Sequence, residues 1–237
     1  GSTLSYLAHS ILCVNNLQNN ATPEQKAKYL PKLASGEWIG CMGMSEAEHG
    51  SDAVGMQTKA TKDGDGYRIQ GAKMWITNAQ YADIAYVYTR TGTKKKDLTT
   101  FILEKSKGHF TAGKPIHKMG MRSSPTGELI FDNTAVPAAQ RLGKEGDSVA
   151  HMMKNLEIER ITISGISLGI ARACVEQCVR YSQERKQFGK HIGSFQMIQR
   201  MISEMSAEYE MARHFLYSVA HDYDQGNKGA AVAAKVK

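Results

Sequence analysis

The stretch MQTKATKDGDGYRIQGAKMWIT, from Met56 to Thr77, decides how the middle of this chain folds. Two runs of alternating polar and apolar residues flank the turn sequence DGDG at residues 63–66, a pattern typical of a β-hairpin. Further runs with the same texture follow at short intervals: IAYVYTRT, LTTFILEKS and GELIFDNTAVP. Because no helical pattern separates these runs, they predict an antiparallel barrel or sandwich rather than a parallel sheet.

The residues before this region are helical in pattern. Leu4, Leu7, Ile11 and Val14 recur at the spacing of one apolar helix face. A second helix is expected to follow within residues 22–36.

The signals of this second helix are local. Thr22 can serve as the N-cap, Pro23 suits the first helical position, and Gln25 completes a capping box. Pro31 and Gly36 are expected to mark the end of the helix.

The fold class expected is therefore α+β with several domains. Residues 1–36 form the end of an N-terminal α-helical part, and residues 37–146 form the central β domain. Residues 147–237 contain two or three long amphipathic helices, joined by the short loop GKHIG, and predict part of a C-terminal helical bundle. The last residues, AAVAAKVK, continue a helical pattern without a stop signal, which suggests a piece of a longer protein.

Composition excludes some classes of function. The 237 residues are 41% hydrophobic and 22% charged, the balance of a globular protein, and carry a net charge of +7. The basic residues are scattered and not interleaved with aromatic residues, so no nucleic-acid partner is expected. No apolar run is long enough to cross a membrane.

The cysteines give no reason to expect a metal. Cys13, Cys41, Cys174 and Cys178 show neither disulfide nor zinc spacing, and a reducing compartment fits them. Cys174 and Cys178 lie one helical turn apart, and we expect both to be small buried residues.

Two glutamates in NLEIERITISG raise the question of chemistry. Residues two apart on a helix point in nearly opposite directions, so Glu157 and Glu159 cannot face the same cavity. Glu159 lies on an otherwise apolar stripe made of Leu156, Glu159, Ile163, Ile166 and Ile170. Such a helix is expected to lie at the centre of its bundle.

Burial of Glu159 permits two interpretations. It forms a salt bridge to Arg160 or to another cation, because a buried carboxylate costs several kcal/mol unless it is paired or protonated. Alternatively it is an unpartnered general base, whose pKa an apolar pocket raises above the ordinary value of about 4.3. Helix geometry alone does not decide between them.

Several motifs, in order along the chain, resemble those of the acyl-CoA dehydrogenase family. They are SYLAHSILCVNNL, MGMSEAEHGSD (residues 42–52), MWITNA (residues 74–79), KMGMRSSPTGELIF and ERKQFGKHIGSFQ (residues 184–196). The LEIER sequence and the first helix are most similar to the branch that oxidises isovaleryl-CoA, a reaction of leucine breakdown. In that branch the catalytic glutamate stands at the position of Glu159.

The resemblance implies oxidation of an acyl-CoA thioester to its 2,3-enoyl-CoA. Glu159 takes the α-proton, and FAD accepts the β-hydrogen as a hydride. The FAD contacts that the resemblance implies are Met42, Gly43, Met44, Ser45, Ser51, Trp75, Ile76, Thr77, Arg185 and Gln196. The substrate contacts that it implies are Ser51, Glu157 and Arg160.

The resemblance also implies partners and a location. A homotetramer, electron-transfer flavoprotein as the electron acceptor and the mitochondrial matrix are expected on this basis. The alternatives are a long-chain acyl-CoA dehydrogenase, an acyl-CoA oxidase that passes electrons to oxygen, and a non-catalytic flavin or acyl-CoA binding module.

Overall fold

A computed structural model describes residues 2–227 and 229–237 of the chain. The chain divides into two compact units, Gly1–Leu156 and Glu157–Lys237. The expected order of N-terminal helices, a central β region and C-terminal helices is confirmed. The three domain ranges proposed from the sequence stay a prediction.

The first unit begins with a helical run. Helix α1 (Ser2–Leu7) continues into a π-helical segment (Ala8–Val14) and then into helix α2 (Asn15–Asn20). Helix α3 (Pro23–Ser35) follows after a short break. The apolar faces of these helices contribute Cys13, Leu17, Tyr29 and Leu33 to a buried cluster.

Helix α3 starts where the local signals predict. The backbone N–H of Gln25 donates to Oγ1 of Thr22, and the backbone N–H of Thr22 donates to Oε1 of Gln25, so the capping box is complete. Gly36 ends the helix in a left-handed conformation with a φ of 77°. The expectation for Pro31 is wrong, because the helix continues through it to Ser35. Burial of Tyr29 and Leu33 on either side of Pro31 keeps this turn helical.

Eight strands of the first unit form one sheet. They are β1 (Gly40–Gly43), β2 (Lys59–Asp63), β3 (Gly66–Thr77), β4 (Ile84–Arg90), β5 (Leu98–Glu104), β6 (Thr111–Ala112), β7 (Thr126–Pro137) and β8 (Arg141–Leu142). The order is β6-β7-β3-β2-β4-β5-β8, and β1 pairs with β4. Most pairings are antiparallel, as expected. Strand β4 has two parallel pairings, one with β1 and one with β2 through the single residue pair of Lys59 with Arg90.

The predicted hairpin is present. Asp63 pairs with Gly66, and the two residues between them form the turn, with Gly64 at a φ of 55°. Successive residues of β4 and β5 are buried on opposite faces of the sheet. One face packs on helices α2 and α3, and the other packs on residues of β3 and β7, so the sheet curls over its own core.

The second unit is mainly helical. Helix α4 (Ser148–Glu184) begins within the last residues of the first unit and continues through the first part of the second. Helices α5 (Gln196–Asp224) and α6 (Ala230–Val236) follow. The connection predicted as a loop contains the short antiparallel pair β9 (Lys186–Gln187) and β10 (Lys190–His191). The buried apolar cluster of this unit consists of Ile161, Val219 and Ala233.

Two expectations for the second unit are wrong. Cys174 and Cys178 are exposed, because they lie on a face of α4 that the described residues leave uncovered. The stripe on α4 is only half-buried at Ile163 and Ile166, and Ile170 is 56% exposed, so this helix is not enclosed by the unit. Within residues 2–227 and 229–237, no helix has both the length and the apolar character needed to cross a membrane.

Candidate functional site

Two of the segments predicted to bind flavin lie side by side in the first unit. Strand β1 ends at Gly43, and Met44 and Ser45 then leave the sheet next to strand β3. The backbone N–H of Met74 donates a hydrogen bond of 2.9 Å to the carbonyl oxygen of Ser45. Residues that lie some 30 positions apart in sequence are therefore joined directly.

Gly43 is closely packed at this junction. A Cβ atom there would lie 3.2 Å from Cγ of Lys73, and 3.3 Å from the side chains of Leu129 and Val87. A larger residue would require these side chains to move by a few tenths of an ångström. The glycine leaves room for them next to the strand that leads into Met44 and Ser45.

Trp75 has two unusual features. Its φ is 64°, a left-handed conformation that is rare for a bulky residue, and its side chain is 57% exposed. The pairing of β3 with β7 is irregular between Lys73 and Ile76, and this bulge turns the indole out of the sheet. Strained backbone of this kind is found preferentially at functional sites.

The polar groups around Trp75 suit a flat heteroaromatic ligand. The hydroxyl groups of Ser45 and Thr77 are half-buried, and neither has a hydrogen-bond partner among the residues that the structure describes. The segments joined at Ser45 and Met74 thus carry an exposed indole for stacking and two hydroxyls for hydrogen bonding. Ile76 faces the core at 3% exposure, so only its main chain is available to a ligand. Met42 and Met44 pack partly on the core next to the helices.

Ser51 lies in the loop after Ser45. Its side chain is exposed and has no hydrogen-bond partner in the described part of the chain. A Cβ atom at Gly50 would meet no atom within 4 Å. The packing of the first unit itself therefore does not require a glycine at this position.

Sequence reasoning missed a buried ion pair beneath these segments. Nζ of Lys73, whose side chain is fully buried, lies 2.9 Å from Oε1 of Glu46 and donates to the carbonyl oxygen of Met44 at 3.1 Å. The carboxylate of Glu46 also accepts from the backbone N–H of Gln57 at 2.6 Å and of Thr58 at 2.9 Å. Lys73 is an even number of positions from the buried Tyr67 and Ile69, so its side chain is expected on the same inward face of β3. A charged residue on this face was the signal in the sequence that could have indicated the ion pair.

Both members of the pair are charged at neutral pH. Burial alone would raise the pKa of Glu46, but the charge of Lys73 and the bonds from Thr58 and Gln57 outweigh it and lower the pKa to about 2. Burial lowers the pKa of Lys73 to about 8, because it outweighs the attraction of Glu46.

In the second unit, Glu159 is paired. Its carboxylate oxygens lie 3.3 and 3.4 Å from Nζ of Lys237, and its side chain is 14% exposed. Of the two interpretations, the unpartnered acid is therefore wrong for this structure, and the salt bridge is present, with Lys237 rather than Arg160 as the cation. The partner lies 78 residues away in sequence, so no local pattern could have indicated it.

Glu157 faces different surroundings, as helix geometry predicts. It lines a cavity of about 390 Å³ together with Ile161 of its own helix and with residues of α5, α6 and the segment between them: Val219, Asp222, Tyr223, Asn227, Gly229 and Val232. Its Oε1 atom is buried and has no hydrogen-bond partner among the described residues. Glu159 does not line this cavity.

The remaining predicted contacts are accessible cations and amides. The guanidinium of Arg160 is half-buried and has no hydrogen-bond or ion-pair partner in residues 2–227 and 229–237. Arg185 is exposed and donates to the hydroxyl of Tyr181 at 3.1 Å. Gln196, the first residue of α5, is exposed. No group of three or more His, Cys, Asp or Glu residues in the described part of the chain is arranged to hold a metal ion.

Family models match nearly the whole chain. Residues 1–37 match "Acyl-CoA dehydrogenase, N-terminal domain", residues 41–134 match "Acyl-CoA dehydrogenase, middle domain", and residues 147–237 match "Acyl-CoA dehydrogenase, C-terminal domain".

Individual proteins show the same similarity. The mitochondrial isovaleryl-CoA dehydrogenase of Arabidopsis thaliana is 45% identical over 225 residues, which are 94% of this chain and 55% of that protein. Butyryl-CoA dehydrogenase of Megasphaera elsdenii has a structure with a TM-score of 0.95 and 38% identity, covering 98% of this chain and 62% of that one. The FAD complex of PigA has a TM-score of 0.94 and 32% identity, with 99% and 62% covered.

The chain thus spans about half the length of the curated relatives that it matches. The similarity nevertheless extends over almost all of its residues and includes the motifs that carry the candidate site. This chain belongs to the acyl-CoA dehydrogenase family.

Proposed function

We propose that this chain is part of an FAD-dependent dehydrogenase that converts isovaleryl-CoA, a short branched acyl-CoA of leucine breakdown, to its 2,3-enoyl thioester. The observation that carries the proposal is the junction of residues 42–45 with residues 74–77 at the strained and exposed Trp75. Similarity to isovaleryl-CoA dehydrogenase supports the branched substrate.

The residues around Trp75 hold the flavin ring in this proposal. The indole covers the ring, while the hydroxyls of Ser45 and Thr77 and the main chain of residues 42–45 and 76 supply hydrogen bonds. Ser51 lies between the cofactor and the pantetheine arm of the substrate. When bound, FAD supplies a hydride acceptor, which no side chain can provide.

Four residues of the second unit are also assigned to FAD or CoA in this proposal. Arg185 suits the pyrophosphate of FAD, because its planar fork matches phosphate oxygens, and Gln196 adds a second contact. Glu157 and Arg160 hold parts of the CoA. The Oε1 atom of Glu157 and the guanidinium of Arg160 have no partner among the described residues, so both groups are available for this role.

Glu159 takes the α-proton of the substrate in this proposal. Its carboxylate must then be free of Lys237, which lies 3.3 Å away. The lysine side chain is 46% exposed, so it can move into solvent at little energetic cost.

A long-chain acyl-CoA dehydrogenase and an acyl-CoA oxidase are the competing functions. Similarity to butyryl-CoA dehydrogenase shows that the family fold by itself does not determine the acyl group. Electron-transfer flavoprotein as acceptor, a homotetramer and the mitochondrial matrix belong to the same proposal, and the mitochondrial names of the relatives support the location.

The test is an anaerobic titration of the full-length protein with isovaleryl-CoA, butyryl-CoA and palmitoyl-CoA, followed by bleaching of the flavin absorbance. Bleaching is expected to be fastest with isovaleryl-CoA. Fastest bleaching with palmitoyl-CoA would instead identify a long-chain enzyme, and rapid peroxide release in air an oxidase.

The base assignment is tested in the same assay with a matched pair of variants. Glu159→Gln should retain FAD and bind acyl-CoA, but should bleach at least about 100-fold more slowly, the usual effect of losing a general base. Glu157→Gln should weaken acyl-CoA binding and leave the rate at saturation largely intact. The reverse result would assign the proton transfer to Glu157.

A further inference from the structure

The ion pair of Lys73 and Glu46 is connected to each of the flavin segments of the first unit (residues 42–45, 50–51 and 75–77), directly or through the chain next to the segment. The ammonium of Lys73 holds the carbonyl of Met44, and the next residue in the chain, Met74, holds the carbonyl of Ser45. Lys73 also immediately precedes the bulge that turns Trp75 outward. A single side chain thus connects the first segment to the third.

Glu46 closes the loop that carries the second segment. Its backbone N–H donates to the carbonyl oxygen of His49, and its carboxylate reaches across to the backbone N–H groups of Gln57 and Thr58. The ten residues between, which include Ser51, form a loop whose two ends this carboxylate joins. Arg90 also holds this loop, because its guanidinium donates to the carbonyl oxygens of Val54 and Met56. His49 contributes a ring nitrogen 3.7 Å from the same carboxylate.

The pair is expensive to bury. A charged pair without access to water stabilises a fold no better than apolar residues of the same size would. It does fix geometry, because removing either partner strands the other charge in the core. A buried pair in this place is therefore better explained by the arrangement that it imposes than by stability.

We propose that Lys73 is a positioning residue, which holds the three flavin segments in one binding-competent arrangement through its buried pair with Glu46. It touches no ligand in this proposal. It holds the first and third segments through its bond to the Met44 carbonyl and its position before the β3 bulge. It holds the second segment through Glu46, whose carboxylate closes the loop that contains Ser51. The inference rests on the proposed function for the identity of the ligand as FAD.

The principal test is Lys73→Met in the full-length protein, which keeps the length of the side chain and removes the charge. The dissociation constant for FAD, measured by quenching of flavin fluorescence, should rise at least about tenfold, as expected for loss of a charged buried hydrogen bond. Hydrogen exchange at the amides of Met74 and Thr58 should accelerate. An unchanged FAD affinity would overturn the proposal.

Two controls separate positioning from general loss of stability. Arg68→Met removes an exposed cation from the same strand, where Arg68 pairs with Asp63 at 2.6 Å, and should leave FAD affinity within about twofold. Phe131→Leu weakens the core of the same sheet and should lower the melting temperature without loosening FAD. If Phe131→Leu releases FAD as strongly as Lys73→Met at equal loss of stability, Lys73 has no positioning role.

A double variant covers the case in which Lys73→Met fails to fold. Glu46→Gln combined with Lys73→Met leaves no stranded charge, so it should fold. Because the two residues act as a unit, the double variant should bind FAD no more weakly than the worse single variant, yet still at least about tenfold more weakly than wild type. Wild-type affinity in the double variant would reject the proposal.

The outcomes also separate this inference from the proposed function. If the wild-type protein binds no FAD, the proposed function fails, and the hydrogen-exchange arm still tests the arrangement of Met74 and Thr58. If the wild-type protein binds FAD but none of the acyl-CoAs bleaches the flavin, the proposed reaction fails. The measurements of FAD affinity then still test the inference. If Lys73→Met keeps both affinity and exchange protection, only the inference fails.

Discussion

The first and second units of this chain cover their apolar residues to very different degrees. In the first unit, Phe101 and Leu103 on one face of the sheet and Tyr86 on the other are fully buried. In the second unit, Ile170, Phe215 and Tyr217 are 56%, 44% and 63% exposed. Both units have clear apolar periodicity in sequence. The difference teaches that periodicity predicts which face of a helix or strand is apolar. Whether that face is buried depends on which other elements pack against it.

The charged groups of the two units also differ in burial, being mostly exposed in the second unit and in part buried in the first. Apart from Glu159 with Lys237, the ion pairs of α4 and α5, such as Arg172 with Glu176 and Arg200 with Glu204, join neighbouring turns of one helix on exposed surface. The first unit instead buries two carboxylates, Glu46 and Glu104, each bonded to several donors from distant segments. Exposed pairs contribute little to stability, whereas buried networks cost much when they are broken.

The largest expected effect is loss of a core aromatic residue in the first unit. Phe101 is fully buried, with its ring centroid 4.9 Å from that of Tyr67. Phe101→Ala should reduce the free energy of unfolding by about 3–5 kcal/mol, because it removes buried area and leaves a cavity. Trp38 and Trp75 both lie in this unit, so tryptophan fluorescence during urea unfolding reports on it directly.

The contrasting variant is Phe188→Ala in the second unit. Phe188 is 92% exposed, and its removal should change the free energy of unfolding, followed by far-UV circular dichroism, by less than about 0.5 kcal/mol. Equal losses for the two variants would mean that the contrast in coverage between the units does not hold in solution.

A smaller effect is expected from Glu104, and it depends on pH. Its carboxylate accepts hydrogen bonds from Nζ of Lys28, the hydroxyl of Tyr29 and the amide of Gln140 at 2.6–2.8 Å. Burial opposes the charge, but these three donors outweigh it and lower the pKa from 4.5 to about 2. The folded state therefore binds this proton less readily than the unfolded chain. The resulting stability is complete above about pH 4.5 and is lost as the pH falls towards 2.

Glu104→Gln should remove this dependence. The difference in pKa corresponds to at most about 3 kcal/mol, so wild type should lose up to that amount more than the variant between pH 5 and pH 2. Urea unfolding at a series of pH values measures both slopes. Glu204→Gln, in an exposed pair of α5, should leave the slope unchanged. If Glu104→Gln does not alter the dependence of the free energy of unfolding on pH, the three hydrogen bonds to Glu104 do not stabilise the first unit in solution.

Local signals in the sequence predicted local structure well. The hairpin of β2 and β3 and the start of α3 both depend on residues within four positions of each other, so neighbouring side chains determine them. Strand β1 was missed, because GCMG shows no alternation and its parallel partner β4 lies about 40 residues away. The end of α3 was misjudged at Pro31, where tertiary burial prevails over propensity.

The candidate site shows the same limit. Helix geometry correctly predicted that Glu157 and Glu159 have different surroundings, because the angle between residues two apart is fixed. The pairing of Glu159 with Lys237 and that of Lys73 with Glu46 depend on how distant segments meet, and residue patterns do not contain that information. The place of Lys73 on the inward side of β3 indicated that its charge has a partner, but not which residue that partner is.

The smallest effect concerns helix capping and sharpens the contrast at the level of single helices. Helix α3 of the first unit has a full capping box, whereas α5 of the second unit begins after Phe195 without a side-chain cap. Thr22→Ala removes the acceptor for the N–H of Gln25 and should cost about 1 kcal/mol in urea unfolding. Thr22→Ser keeps the hydroxyl and should cost less than about 0.5 kcal/mol. Equal losses for the two variants would attribute the effect to the methyl group, and the cap would then contribute nothing measurable to the first unit.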